Sequence, residues 1–484
     1  MALPSMKSEP VIYELSTPGK IGSSLPQCDV PPAPLPTPLL RDELVLPEVS
    51  EAEVVQHFTR LSQKNYCVDL GIYPLGSCTM KYNPKVNEEA ASLPGFTQIH
   101  PYQDEESVQG ALQLMYELQQ YLAEISGLPG VTLQPAAGAQ GELTGILTIR
   151  AYHLSRGDGR RTKVIVPDSA HGTNPATSSM SGFHVVQVKS DARGNVDLDE
   201  LKKLVDEETV GLMLTNPNTL GLYDEHVQEI CEIVHRAGGL VYGDGANLNA
   251  IVGVARPGEI GFDVLHSNLH KTFAVPHGGG GPGAGPVMVR EELAEFLPGP
   301  IAVLKDGHYG LSMPKRSIGR VKSFYGNFLA LVRAYAYIRT LGREHLPEVA
   351  ENAVINANYL LARLKDTYSA PYGNRHCMHE FVLTGTPFVE KYGVHTLDIA
   401  KRIEDYGYYP PTIYFPLIVP EAIMIEPTET QSKASLDEFA DALLSIAKEA
   451  ATDPQLLHDA PHTAPVTRMD DVKAAREPVL CYKG

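Results

Sequence analysis

Short apolar runs alternate with stretches of helical composition between residues 163 and 289, and this alternation restricts the possible folds of the chain more than any other feature. The apolar runs cover residues 163–166, 184–188, 210–215, 239–242 and 286–289. Helical composition lies between them, for example at 198–206 and 226–237. Strands that alternate with helices typically form a mostly parallel sheet with helices on both faces. We therefore predict an α/β fold built on such a sheet.

The chain has 484 residues, which is too long for one compact core. A helix predicted at 323–342 leads away from the sheet, and candidate strands and a terminal helix follow it. We predict a mostly parallel mixed sheet in a large domain and a smaller C-terminal α+β domain. The predicted boundaries are 1–90 for an N-terminal arm and leading segment, 91–335 for the large domain, 336–450 for the small domain and 451–484 for a tail.

Residues 25–42 contain six prolines between Pro26 and Pro38. Proline removes backbone donors and fixes φ, so the segment favours an extended conformation. Such an arm can embrace another surface of an oligomer, or it can be a disordered leader. The sequence leaves both interpretations open.

Composition excludes several classes of function. The formal net charge of −18 opposes binding to nucleic acid. No apolar run is long enough to cross a membrane, and the N-terminus lacks the apolar centre of a signal peptide. Six scattered cysteines form no Cys-x-x-Cys pair, which argues against a metal site and a disulfide framework. We expect a cytoplasmic protein with no metal, membrane or nucleic-acid partner.

The first candidate site is a turn of small residues at 134–142, which leads into a predicted helix. Its central residues, Gly138, Ala139, Gln140 and Gly141, allow backbone N–H groups to approach a phosphate at a helix N-terminus. A turn of the same composition can also serve packing alone.

Two charged residues give the second candidate site. Asp244 follows the apolar strand at 239–242, at the sheet edge where α/β proteins bind ligands. An acid there can hold the protonated pyridine nitrogen of pyridoxal phosphate (PLP), or it can merely cap the next helix. Lys271 is the one charged side chain among uncharged residues before the glycine run at 278–281. Desolvation there favours an imine, although most lysines are surface residues.

The order of these residues along the chain strengthens both the hypothesis of a phosphate site and the hypothesis of a PLP site. His171 and Asn216 lie between the phosphate-type turn and Asp244. This arrangement resembles the fold-type I PLP-dependent transferases of the aspartate aminotransferase superfamily. The resemblance implies that His171 stacks on the cofactor ring and that Ala246 packs beneath it. Asn216 then reaches the ring hydroxyl or lines the pocket.

Longer phrases carry a closer resemblance. They are Tyr-Pro-Leu-Gly-Ser-Cys-Thr-Met-Lys-Tyr-Asn-Pro at 73–84, Leu-Gln-Pro-Ala-Ala-Gly-Ala-Gln-Gly-Glu at 133–142, Ala-His-Gly-Thr-Asn-Pro at 170–175, Asp-Gly-Ala-Asn-Leu-Asn at 244–249, His-Lys-Thr-Phe at 270–273, His-Glu-Phe at 379–381 and Met-Ile-Glu-Pro-Thr-Glu at 424–429. Together they resemble the glycine decarboxylase P-protein family over most of residues 65–445. Only the C-terminal, lysine-bearing half of a single-chain family member is represented. That implies a separate partner, glycine dehydrogenase subunit 1, in an α2β2 heterotetramer.

The resemblance also implies a reaction. Glycine is decarboxylated on PLP held by Lys271, with Asp244 and His171 as the other catalytic residues. The aminomethyl group passes to the lipoyl arm of the H-protein. Ser77, Cys78 and Thr79 are candidate contacts of the glycine substrate.

Two alternatives remain open at this stage. The chain can be another fold-type I PLP enzyme, such as an amino-acid decarboxylase or a desulfurase, because the same Asp and Lys serve many reactions. A desulfurase needs a mobile nucleophilic cysteine, and Cys377 has the most polar, loop-like setting of the six. The other alternative is a scaffold that binds no cofactor and only stabilises subunit 1.

Overall fold

The structure, a computed structural model, describes residues 8–277 and 283–481. Its α-helices are α1 (Glu51–Ser62), α2 (Lys85–Ala91), α3 (Pro94–Thr97), α4 (Gln109–Ser126), α5 (Gly138–Ser155), α6 (Thr173–Met180), α7 (Leu198–Leu204), α8 (Val227–Arg236), α9 (Pro257–Ile260), α10 (Leu269–Thr272), α11 (Phe328–Leu364), α12 (Thr386–Tyr392), α13 (Thr396–Asp405), α14 (Lys433–Thr452), α15 (Pro454–His458) and α16 (Asp471–Arg476). Its 3-10 helices are Ile12–Leu15, Thr37–Leu39, Glu105–Val108, Gly245–Ala250 and Glu291–Phe296. Its strands are β1 (Gly130–Thr132), β2 (Lys163–Pro167), β3 (His184–Val188), β4 (Thr209–Thr215), β5 (Leu240–Asp244), β6 (Val264–His266), β7 (Val287–Val289), β8 (Ile301–Lys305), β9 (His308–Ser312), β10 (Phe381–Thr384), β11 (Thr412–Ile413) and β12 (Ala422–Ile425).

A seven-stranded mixed sheet forms the centre of the fold. Its strand order is β1-β7-β6-β5-β4-β2-β3. Strands β2 to β6 pair in parallel with their neighbours, whereas β7 pairs antiparallel with both β6 and β1. The prediction of a mostly parallel mixed sheet is therefore confirmed.

Helices cover both faces of this sheet because its strands are apolar on both sides. On one face, Ile146 and Ile149 of α5 join a cluster with Tyr242 of β5. On the other face, Ile230 and Val234 of α8 pack with residues of β2, β4 and β5. Burial of each such aliphatic side chain stabilises the fold by roughly 1.5–3 kcal/mol. All five residues of β5 are buried. This packing fixes the position of the side chain of Asp244, the last residue of the strand.

Helix α4 shows how the sequence sets an element and its end. Leu118 and Leu122, one helical turn apart, are almost fully buried. The helix ends at Gly127, whose φ of 71° lies in the left-handed region and whose N–H bonds to the carbonyl of Ala123. A residue with a Cβ is strained at this φ, so the glycine defines the stop.

Helix α11 links the large sheet to a second, antiparallel sheet with the order β10-β12-β11. Its first half contributes Leu331 to a core beside the large sheet, and its last turns contribute Leu360 to a core under the small sheet. A kink at Gly342 separates the two halves. The small unit is thus α+β, as predicted, while the exact boundaries between domains stay a prediction.

The leading segment does not stand apart from the small sheet. Ile72 is buried in the core under that sheet, and Leu75 forms a bridge with Ile425 of β12. By contrast, residues 21–46, which include the proline-rich segment, are exposed throughout. Among residues 8–277 and 283–481, no helix combines the length and apolar character needed to cross a bilayer.

Candidate active site

A cavity of about 260 Å³ opens where β4, β5 and β6 end. This is the sheet edge at which open α/β folds bind ligands. The residues that line it are Ser77, Ala137, Gly138, Ala139, Glu142, His171, Thr173, Thr215, Thr219, Asp244, Ala246, Asn247, His266, Asn268, His270 and Lys271. Segments far apart in the sequence therefore meet at one place.

Lys271 lies in the short helix α10, directly after the β6 strand and the turn that follows it. Its side chain is half-buried, and Nζ donates a hydrogen bond of 2.9 Å to the carbonyl oxygen of Ser77. The amine therefore lies on the cavity wall in a fixed direction. An amine in such a place can form a covalent bond to a carbonyl ligand.

Asp244 ends β5 and is almost fully buried. Its Oδ1 accepts a hydrogen bond of 2.9 Å from the backbone N–H of Ala246, and its Oδ2 accepts one of 3.1 Å from Nδ2 of Asn174. Burial alone raises the pKa of Asp244, but His266 and these donors together bring that pKa below its usual value. The carboxylate is charged at neutral pH, so it can bind a protonated nitrogen of a ligand.

Glu142 is a second acid in this cavity, and our sequence reasoning did not single it out. Its Oε2 accepts a hydrogen bond of 2.9 Å from Nδ2 of Asn174, and its Oε1 accepts one of 2.8 Å from Thr173. Burial and the charge of Asp244 raise the pKa of Glu142 to about 7. Glu142 thus holds a proton more readily than Asp244 does.

The N-terminus of α5 forms another wall. Gly138 and Ala139 line the cavity, and no side chain caps the first turn of this helix. A Cβ on Gly138 would lie 2.4 Å from Nδ2 of Asn268, so only glycine fits there. Free N–H groups at a helix N-terminus suit an anion such as phosphate.

Two residues of the predicted phosphate turn do not line the cavity. The side chain of Gln140 accepts a hydrogen bond from the N–H of Ala136 and donates one to the carbonyl of Val321, each 2.6 Å long. Gly141 packs against the carbonyl of Gly285, 2.9 Å from where a Cβ would stand. Both residues shape the turn from behind.

His171 and Ala246 lie on the cavity wall, and their contacts with a cofactor ring stay a prediction. The Nδ1 of His171 lies 2.9 Å from the hydroxyl of Thr173, and its ring meets that of Phe415 edge-on at 5.5 Å. Burial lowers the pKa of His171, which favours the neutral ring. A neutral imidazole on the wall can stack on a flat ligand.

The predicted contact between Asn216 and a ligand stays a prediction. Asn216 is not among the residues that line the cavity; its Oδ1 accepts a hydrogen bond of 3.0 Å from the N–H of Asp224. Its neighbour Thr215, at the end of β4, and Thr219 line the cavity instead.

The three candidate substrate contacts also separate. Ser77 lines the cavity, whereas Cys78 and Thr79 do not. Burial raises the pKa of the Cys78 thiol, which disfavours a reactive thiolate. The hydroxyl of Thr79 donates to the carboxyl of Glu426 in the interior.

Behind Ser77 and Thr79 lies a buried polar group that the sequence did not predict: His379, Glu380 and Glu426. All three side chains are at most 1% exposed, and they offer ligand-type atoms within 4.8 Å of one another. Burial raises the pKa of both acids, to about 8 for Glu426. Each acid already accepts a hydrogen bond, Glu380 from the Ser77 N–H and Glu426 from Thr79. Our expectation of no metal stays a prediction.

Arg320 is exposed and is not among the residues that line the cavity. The ring of His277 lies edge-on to that of His270, with centroids 5.1 Å apart, and burial lowers its pKa. The glycine run at 278–281 lies outside the described residues.

The chain matches the models of two known protein families. The family model of the glycine cleavage system P-protein matches residues 29–386, and a model described as the glycine dehydrogenase C-terminal domain matches residues 349–462. The chain belongs to the glycine cleavage system P-protein family. The family resemblance drawn from the sequence is therefore confirmed.

Individual relatives match this P-protein family member over nearly their whole length. A probable glycine dehydrogenase (decarboxylating) subunit 2 from Caldanaerobacter subterraneus subsp. tengcongensis is 59% identical, covering 97% of this chain and 98% of its own. One of the same description from Bacillus licheniformis is 58% identical, covering 99% of both chains. These relatives have nearly the same length as this chain and share 58–59% of its residues.

Solved structures support the fold. A crystal structure of glycine decarboxylase (P-protein) of the glycine cleavage system, in inhibitor-bound form, has a TM-score of 0.72 and 22% identity, and covers 85% of this chain and 93% of its own. A NifS-like protein has a TM-score of 0.60 and 20% identity, covering 79% of this chain and 100% of its own. The fold-type I class predicted from the sequence is confirmed.

The position of Cys377 does not support the desulfurase alternative. Cys377 is 3% exposed and lies in the core under the small sheet, not in a mobile polar loop. Burial raises the pKa of its thiol to about 12. The polar neighbours in the sequence were misleading because the backbone turns the thiol inward.

Proposed function

We propose that this chain is the lysine-bearing subunit of a P-protein that decarboxylates glycine with PLP bound at Lys271. One observation carries the proposal: Lys271, Asp244 and the first turn of α5 all face one cavity. An amine, a charged carboxylate and a helix N-terminus provide the three kinds of contact that PLP requires. Membership of the glycine cleavage system P-protein family supports the same cofactor, PLP, and the same reaction, decarboxylation of glycine.

The side chains present fit PLP. Thr215 lines the cavity, and among the described residues its buried hydroxyl has no hydrogen-bond partner, so a ligand can supply one. Asp244 would hold the pyridine nitrogen, His171 would stack on the ring, and the N–H groups of α5 would hold the phosphate. When bound, PLP supplies an electron sink for the electrons left behind when carbon dioxide departs from an amino acid.

Glu142 and Asp244 differ in protonation, and this difference suits the binding of a cationic ring nitrogen. Asn174 donates to both Glu142 and Asp244, and the raised pKa of Glu142 keeps part of that acid neutral near pH 7. The second negative charge beside Asp244 is thereby reduced. Asp244 can then stay ionised against a cationic ring nitrogen.

We further propose partners that follow from the family. The aminomethyl product would pass to the lipoyl arm of the H-protein, and subunit 1 would complete an α2β2 assembly. The near-identical length of relatives described as subunit 2 supports a separate subunit 1. The six cysteines all lie within the described residues, and each of them is free of a disulfide bond. Free thiols are typical of a reducing compartment, which supports a cytoplasmic location.

A desulfurase or another amino-acid decarboxylase is the rival to be tested. The purified chain, mixed with a candidate subunit 1 and a lipoylated carrier, is given glycine or cysteine, and release of carbon dioxide and sulfide is measured. We expect carbon dioxide from glycine and no sulfide from cysteine. Sulfide release without glycine decarboxylation would overturn the proposal.

Borohydride reduction followed by peptide mapping should place PLP on Lys271, and a label elsewhere would contradict that assignment.

A further inference from the structure

The loop at 73–79 is clamped against the small sheet on the side that faces Lys271. The carbonyl of Gly76 accepts a hydrogen bond of 2.7 Å from the hydroxyl of Thr412, and Leu75 bridges to Ile425. A Cβ on Gly76 would lie 2.3 Å from the side chain of Met424, so the loop lies directly on β12. The small unit therefore sets the position of the residue that follows Gly76.

That residue, Ser77, has an unusual backbone. Its φ is 63°, in the left-handed region that residues with a Cβ rarely adopt. Its N–H donates a hydrogen bond of 2.7 Å to Oε2 of Glu380, and its carbonyl accepts one of 2.9 Å from Nζ of Lys271. An unfavourable conformation persists only where its surroundings enforce it. The contact with Glu380 therefore helps to hold the backbone of Ser77 in this conformation.

Glu380 is itself tightly held. It is fully buried just before β10, and its Oε1 accepts a hydrogen bond of 3.3 Å from Nδ2 of Asn247, which lines the cavity. The two carboxyl oxygens thus connect two walls of the site. An oxygen of this group accepts the Ser77 N–H whether the acid is ionised or neutral, so the contact does not need a charge.

We propose that Glu380 is a positioning residue for Lys271, acting through the backbone of Ser77. Its carboxyl oxygen holds the Ser77 N–H, and this fixes the Ser77 carbonyl as the acceptor that directs the Lys271 amine into the cavity. The role rests on the proposed function, in which the same amine binds PLP. When PLP is bound, the Lys271 amine would bond to its aldehyde carbon, and the aldehyde oxygen would leave as water.

Two conservative variants separate position from ionisation. Glu380→Gln keeps an acceptor oxygen at the same reach and cannot ionise, whereas Glu380→Asp keeps an acid and shortens the side chain by one methylene. Since a misplacement of about 1 Å can slow a reaction by roughly 100-fold, we expect the shorter acid to be the damaging change. Thermal unfolding of both variants tests whether each one folds.

The readout is the rate at which added PLP forms the imine with cofactor-free protein, followed by absorbance. We expect Glu380→Gln to react within about threefold of the unmodified chain and Glu380→Asp to react at least about tenfold more slowly. A Glu380→Asp variant as fast as the unmodified chain, or a Glu380→Gln variant as slow as Glu380→Asp, would overturn the proposal. Imine formation does not depend on glycine, so normal imine rates without glycine decarboxylation would count against the proposed function and not against this role.

Discussion

Glu142 and Asp244 share one donor, the Nδ2 of Asn174, which lies 2.9 Å from the first carboxyl and 3.1 Å from the second. Two buried acids joined in this way do not both ionise easily. The consequence is a division of roles: Glu142 accepts a proton near neutral pH, and Asp244 keeps its charge.

The raised pKa of Glu142 makes stability depend on pH. The folded chain binds this proton up to about pH 7, while the ordinary value is 4.5, so the free energy of unfolding falls as pH rises through this window. Glu142→Gln removes the titration and should reduce that fall by on the order of 2 kcal/mol. Urea unfolding at pH 5.5 and pH 8 measures it. An equal fall in the variant and the unmodified chain would contradict the assignment.

Asp244→Asn should leave PLP bound but slow glycine decarboxylation by about 100-fold or more, because the amide carries no charge for the pyridine nitrogen. The amide oxygen can still accept the N–H of Ala246, so the local fold is retained. Absorbance reports cofactor binding, and carbon dioxide release reports the reaction. A variant that stays within a few-fold of the unmodified rate would show that this carboxylate does not act on the ring.

Lys81 provides a test of the structure behind the site. Its fully buried ammonium pairs with Glu429 at 2.5 Å and donates to the carbonyl of Thr272, next to Lys271. Burial lowers the pKa of Lys81, but Glu429 and Tyr337 together more than offset this, so the pKa is raised. Lys81→Met leaves Glu429 without its cation and should destabilise the chain by about 3–5 kcal/mol. The double variant Lys81→Met with Glu429→Gln should recover part of that loss in urea unfolding; no recovery would show that the pair is not coupled.

The cysteines should differ sharply in reactivity. Cys28, Cys67 and Cys481 are exposed, whereas Cys231 and Cys377 are buried, and burial raises the pKa of each buried thiol to about 12. A thiol reagent followed by mass spectrometry should modify the three exposed cysteines first and the buried pair only on unfolding. Rapid labelling of Cys377 in the folded chain would reopen the desulfurase interpretation.

The sequence predicts the sheet well because buried parallel strands are continuous apolar runs. The predicted runs at 163–166, 184–188 and 210–215 agree with the observed strands to within one residue. Strands β1 and β6 were missed because each has only three residues and, unlike the equally short β7, neither is apolar throughout. The residues at the strand ends, Asp244 above all, follow directly from the strand positions.

The rest of the site could not be predicted in this way. Glu142 lies inside a phrase that was noticed only for its small residues, and Glu380 and Glu426 lie in two distant phrases that were used only for the family resemblance. An isolated acid carries no sign of burial in the sequence. Its environment arises only when segments far apart in the chain pack together, as residues 77, 380 and 426 do here.

Exchange of labelled bicarbonate into the carboxyl group of glycine tests the central claim most directly. The assay contains this chain, a lipoylated carrier and a candidate subunit 1, with each component left out in turn and Lys271→Ala as the inactive control. We predict exchange in the complete mixture and none with Lys271→Ala. A complete mixture that binds PLP on Lys271 but catalyses no exchange would contradict glycine decarboxylation by this chain.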